Sequence, residues 1–177
     1  HLGLALLENN EFDAAIAEFR TAIALNPSLA LAHYGLGMAL ILTDEFREAV
    51  SEADTAIRLS PRDPLVWGFY SYRAWGHLFL GDYEAAVDDA RQAIRHPAAR
   101  FWPHTQLASA LAHLGRRDEA KIALDKVLKL EPDFSPYASL AVLSPLNPDA
   151  LQPHFKIWID GLRKAGLDIP DKPEAAK

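Results

Sequence analysis

An all-α solenoid of stacked antiparallel helix pairs is the fold this sequence predicts, and three observations predict it. The stretch Asn10 to Pro27 (NEFDAAIAEFRTAIALNP) returns as Asp44 to Pro61 (DEFREAVSEADTAIRLSP), and the pairs Ala15/Ala49, Ala22/Ala56 and Pro27/Pro61 are each 34 residues apart. Ala86 and Ala120, in GDYEAAVDDARQAI and GRRDEAKIALDKVL, keep the same interval of 34. Each copy is preceded by a run of apolar and small residues at helical spacing, so every unit reads as a first helix, a turn and a second helix. A fixed period of this length, carried by small residues and a closing proline, is the signature of helical hairpins stacked into a linear array.

Four units follow in order, at 1–29, 30–63, 64–100 and 101–134. Their hairpin turns fall at Asn10, Asp44, Gly81 and Gly115, residue types that tolerate the left-handed backbone a tight helix ending requires. Gly3, Gly37, Ala74 and Ala108 on the first helices are expected to face Ala15, Ala49, Ala86 and Ala120 on the second, so that paired backbones approach closely. The third unit is longer, since Ala49 and Ala86 are 37 residues apart. Asp63 and Pro64 read as a helix cap and first helical residue, so the helix Pro64 to Leu80 starts a turn early. With Trp67, Phe69, Tyr70, Tyr72 and Trp75 it is the most aromatic element of the chain.

After Pro132 the period stops. Ser135 to Ser144 reads as a short apolar helix, and Pro145 and Asn147-Pro148 then break the chain. Residues 149–165 form an amphipathic helix, restarted or kinked at Pro153, with Leu151, Phe155, Trp158, Ile159 and Leu162 on one face. The capping helices, residues 135–166, are expected to cover the apolar flank that an open solenoid leaves beyond its last unit. Gly166 ends them, and 167–177 is a polar tail.

Composition narrows the partners. Net charge is −6 over 177 residues: residues 1–95 carry 7 basic and 14 acidic side chains (−7), and the remainder 11 and 10 (+1). No basic stripe is available to neutralise phosphates, which excludes nucleic acid as the expected ligand. There is no Cys, hence no disulfide and no thiolate chemistry. No apolar run reaches the roughly 18 to 20 residues that cross a bilayer, and no signal-peptide pattern opens the chain; no membrane partner and a cytoplasmic location are expected. The chain starts inside a helix at LGLALL, which reads as a protein with an N-terminal part missing.

The units resemble the tetratricopeptide repeat. Leu2, Gly3, Leu6, Phe12, Ala15, Phe19, Ala22 and Pro27 meet that pattern, and Leu36, Gly37, Leu40, Phe46, Ala49, Ala56 and Pro61 meet it again. The third unit keeps Ala74, Gly81, Tyr83, Ala86 and Ala93 but has Arg73 where Leu belongs and Pro97 one place early. The fourth keeps Leu107, Ala108, Leu111, Gly115, Ala120, Val127 and Pro132. The resemblance implies a right-handed superhelix that binds a protein or peptide on an inner wall built from the first helices. Carried over by position, that wall includes Leu4, Glu8, Leu31 and Gly35, and the partner-binding groove is Tyr34, Met38, Leu42, Tyr72, Trp75, Phe79, Trp102, Gln106, Ser109 and His113. Packing between adjacent first helices is the alternative use of the same positions. The Lys, Arg and Asn that grip a peptide's terminal carboxylate in some members are missing from it. The stretch from FWPHTQLASALAHLGRRDEA to DGLRKAGL also resembles the C-terminal repeat region of large bacterial regulators, especially class III adenylate or guanylate cyclases, which implies a regulatory module whose enzyme lies upstream.

Chemistry-bearing clusters are sparse. None of the seven His has another at i+3 or i+4, so no metal site is expected. Asp82, Glu84, Asp88 and Asp89, beside Arg91, Gln92 and Arg95, read as a solvated outer face, and no Gly-rich phosphate loop accompanies them. No catalytic residue and no cofactor are assigned. The expected function is a non-catalytic interaction scaffold; the alternatives are an essential part of a cyclase, or a self-association module forming a homo-oligomer.

Overall fold

The structure is a computed structural model that describes residues 2–143 and 154–169. The described residues form helices joined by turns, with no strand: α1 (Leu2–Glu8), α2 (Phe12–Leu25), α3 (Ala30–Leu42), α4 (Phe46–Leu59), α5 (Val66–Leu80), α6 (Tyr83–Ile94), α7 (Trp102–His113), α8 (Arg117–Leu130), α9 (Pro136–Leu143) and α10 (Phe155–Lys164). None is long and apolar enough to cross a membrane. Successive helices from α1 to α8 pack on one another, and α1, α3, α5 and α7 also touch in series to form one continuous wall. This is an all-α solenoid.

The hairpin turns share one geometry. Asn10, Asp44, Gly81 and Gly115 have φ of 60°, 68°, 83° and 74°. In each, the following residue's N–H reaches back five residues: Glu11 to the Leu6 carbonyl, Glu45 to Leu40, Asp82 to His77 and Arg116 to Leu111, all at 2.9 Å. That bond satisfies a carbonyl the helix end would otherwise leave unpaired, and the left-handed residue makes it possible. Gly166, at φ 106°, closes α10 in the same way through Leu167 N–H to the Leu162 carbonyl at 3.0 Å.

Small residues set the spacing of the helices. Ala15, Ala49, Ala86 and Ala120 are all fully buried, and a Cβ on Gly37 would stand 3.4 Å from the Ala49 carbonyl oxygen. Gly3 and Gly35 have a different role from the one expected of them. A Cβ on either would lie 2.8 Å or 2.3 Å from the Phe19 ring, so these two glycines form the slot that admits Phe19 between α1 and α3, and Gly35 is not part of an inner wall. In the third unit α5 begins at Val66, two residues later than expected: the Asp63 carboxylate takes the Leu65 N–H at 2.8 Å and holds Pro64 and Leu65 in a turn before the helix.

Ion pairs between second helices mark the unit junctions. Arg20 meets Glu48 at 2.8 Å and Arg91 meets Glu119 at 2.9 Å, each pair 28 residues apart. At the middle junction, Asp54 and Ala85 occupy the corresponding places, and the charge is supplied instead by Arg73, the departure from the repeat pattern. Its guanidinium grips Asp89 through Nε at 2.9 Å and Nη2 at 2.5 Å, and also pairs with Asp54. Asp89 is therefore buried, not on a solvated face; Asp82, Glu84 and Asp88 do remain exposed. Burial pushes the Asp89 carboxyl up, against the pull of Arg73.

The C-terminal helix is the main departure. The sequence places it on the flank of the fourth unit; in the structure α10 lies on α7 and α5, across the inner wall. Four large apolar side chains on one face, Phe155, Trp158, Ile159 and Leu162, are all buried there. An amphipathic helix must bury its apolar face, and the aromatic wall of α5 and α7 supplies a surface for it. Leu151 and Pro153 lie outside the described residues.

Candidate functional site

Where α5 and α7 run side by side, their inner faces form a trough whose floor is polar at one level and aromatic at the next. Ser71 of α5 and Gln106 of α7 exchange hydrogen bonds at 3.1 and 2.9 Å, and the Thr105 hydroxyl donates to the Trp102 carbonyl at 2.7 Å. The Ser71–Gln106 pair locks the two helices together beneath the trough, and the Thr105 bond is internal to α7. Above them Trp75 stacks on Phe79 at 5.1 Å, one helical turn apart on α5.

The face of α10 fits into that trough ring by ring. Phe155 packs at 5.5 Å from Trp75 and 5.0 Å from Phe79. Trp158 stands edge-on to Trp75 at 5.3 Å and also approaches Trp102 at 6.4 Å and Phe134 at 6.2 Å. Offset and edge-to-face arrangements of this kind add to the gain from buried area. Gly161 meets α7 at Ser109: a Cβ there would fall 2.0 Å from the Ser109 hydroxyl oxygen and 2.8 Å from its Cα. The backbone of α10 thus rests directly on α7 at this point.

Two histidines fasten the helix. His113, stacked flat on Tyr83 at 4.6 Å, donates from Nε2 to the Ile157 carbonyl at 2.8 Å. His154, just before α10, places Nδ1 2.6 Å from the Asp44 carboxylate, while Phe46, Phe79 and Phe155 surround its ring at 4.8 to 5.0 Å. Burial lowers its pKa, with Asp44 pulling the other way. No group of three His, Cys, Asp or Glu side chains converges on a point that could hold a metal ion among the described residues.

Sequence models of the tetratricopeptide repeat match residues 2–64 and 104–134, together more than half the chain. The chain is a tetratricopeptide repeat protein. Among solved structures, it resembles YrrB, described as a TPR protein with an unusual peptide-binding site, at 21% identity and a TM-score of 0.63 over 91% of this chain and 83% of that one. MamA is similar at 16% identity and a TM-score of 0.67, over 93% and 92%. TTC0263, a thermophilic TPR protein of Thermus thermophilus, is similar at 23% identity and 0.65, over 93% and 86%. No curated protein sequence matches the chain.

The ten groove residues carried over from the repeat divide into three groups. Trp75, Phe79, Trp102, Ser109 and His113 contact α10 and are brought together by it. Tyr34 and Tyr72 meet edge-on at 5.5 Å, and Tyr34 packs on Phe69 at 5.0 Å, so they hold α3 to α5. Burial raises both phenols, that of Tyr72 to about 12. Gln106 is in the floor pair, and Met38 and Leu42 are half-buried against the core. Sequence reasoning missed Phe46, Tyr83, Phe134 and His154 as groove contacts. His154 directly precedes the aromatic face of α10, which was the one available signal for it.

Proposed function

We propose that this chain is a non-catalytic protein-interaction scaffold that holds a peptide or helix on its apolar concave wall. One observation carries the reading: the trough on α5 and α7 accommodates an amphipathic helix, α10, whose Phe155 and Trp158 are almost wholly withdrawn from water. A wall able to bury such anchors in cis has the shape and chemistry that helix-in-groove recognition uses. The peptide-binding site named for YrrB agrees with this reading. We further propose, from the resemblance of the stretch from FWPHTQLASALAHLGRRDEA to DGLRKAGL to the C-terminal repeat region of bacterial class III cyclases, that it is the regulatory module of a larger cytoplasmic bacterial protein.

Site-specific photo-crosslinking tests the scaffold reading. A photoreactive residue at Leu31 or Met38, on the wall beyond α10, should capture partner protein in host extract; the same group at Glu18 or Asp125, on the second helices, should not. Equal capture from both faces would refute it. A self-association reading is favoured by the exposure of Leu2, Leu4 and Leu31, and light scattering separates the two, since a scaffold for other proteins stays monomeric when pure.

A further inference from the structure

We propose that the cavity between the last two loops of the array takes the guanidinium of an arginine on a peptide partner. This rests on the scaffold reading above and adds to it a second site and the side chain recognised there. The cavity, of about 380 Å³, lies between the loop that leads into α7 and the loop that joins α8 to α9, and its lining includes Phe101, Trp102 and Phe134 together with Glu131, Asp133 and Arg100. Phe101 stacks on Trp102 at 4.9 Å and stands edge-on to Phe134 at 5.7 Å, so the three rings make one aromatic wall. Trp158 of α10, wholly buried, packs on that wall at 6.4 Å from Trp102 and 6.2 Å from Phe134. The site is therefore formed with α10 in place.

These rings and acids depart from the repeat. Phe101 and Trp102 stand where the second unit has Ala30 and Leu31. Pro27 is flanked by Asn26 and Ser28, and Pro61 by Ser60 and Arg62, whereas Pro132 is flanked by Glu131 and Asp133. The turn itself does not need the acids. Leu29 N–H donates to the Asn26 carbonyl, Asp63 N–H to that of Ser60 and Phe134 N–H to that of Glu131, each at 3.1 Å, so the same backbone forms around an amide, a hydroxyl or a carboxylate.

The chemistry of the lining selects the ligand. Phe101 and Trp102 are half-buried, as is Glu131, while Asp133 and Arg100 are exposed at the rim. Neither carboxylate, nor the Arg100 guanidinium, has an ion-pair partner among the described residues. The lining thus sets two free carboxylates and three rings against one cation. Ring faces and carboxylates both attract positive charge, and a guanidinium satisfies both at once, lying flat on a ring while it donates in a fork to a carboxylate.

The test uses the full chain and the probe acetyl-glycyl-arginyl-glycinamide, followed through the indole signal of Trp102 in an NMR titration. The control is the same peptide with citrulline, which keeps the shape and loses the charge. The arginine probe should bind with a dissociation constant of about a millimolar, and the citrulline probe about tenfold more weakly. Glu131→Gln with Asp133→Asn should weaken the arginine probe about tenfold with helical circular dichroism unchanged. Arg100→Gln, which removes the like charge from the rim, should tighten it. If the two probes bind alike, if neither moves the Trp102 signal, or if the charge variants leave the affinity where it was, the proposal fails. The scaffold reading would then still be judged by cross-linking at Leu31 and Met38, which lie outside this cavity.

Discussion

The two halves of the concave wall come from one repeat and have become two different environments. On α5 and α7 the inward side chains Trp75 and Phe79 are buried, because α10 lies across them; on α1 and α3 the inward Leu4 and Leu31 stay exposed. Both halves are apolar, so composition does not separate them. In an open solenoid each unit touches only its neighbours, and a wall residue is interior or surface according to what lies across it. A residue's role in such an array is thus set by a segment far away in sequence.

The comparison breaks most visibly at Trp158. Truncation to Ala should cost about 3 to 5 kcal/mol of the stability of the C-terminal half, seen as an early unfolding step in a denaturant titration followed by fluorescence. If the covered half gained nothing from its occupant, the melt would not move. Arg73→Leu restores the residue type of the repeat pattern but leaves Asp89 buried without its cation, and roughly 3 kcal/mol should be lost in the same titration. Replacing Asp89 by Leu as well should recover most of it. Near the other half, Gly37→Leu drives a side chain into the Ala49 backbone and should cost about 1 to 3 kcal/mol in a thermal melt.

Acid should loosen the docking of α10. His154 stands below its ordinary value of 6.5 because burial disfavours the charged ring. Its contribution to docking is therefore complete above pH 6.5 and is lost as pH falls from there through the docked value. Tryptophan emission should report loosening of α10 as the pH falls below 6.5, and His154→Phe should flatten that response. The smallest effect belongs to the open half: Leu31→Ser should change stability by no more than about 0.5 kcal/mol.

These contrasts also mark what could be read from the chain. The 34-residue interval and the four turn residues Asn10, Asp44, Gly81 and Gly115 were legible because local chemistry dictates them: a left-handed residue where the backbone must reverse, and alanine where helices touch. The amphipathic face of α10 was legible for the same reason. Its destination was not, since a period-3.6 stripe states that a face must be buried and not against what. Asp89 was misread likewise: a carboxylate spaced like its exposed neighbours is interior only because Arg73, sixteen positions earlier, reaches it. Gly35 reads as wall by position, and only the Phe19 ring shows it to be a slot.

The most direct check on the placement of α10 is the set of ring-to-ring nuclear Overhauser effects across the trough. Trp158 should show them to Trp75 and Phe155 to Phe79, whose ring centres lie 5.3 and 5.0 Å apart, and in a sample mixing labelled and unlabelled chains they should arise within one chain. Their absence, or effects only between separate chains, would show that α10 does not lie in the groove of its own chain.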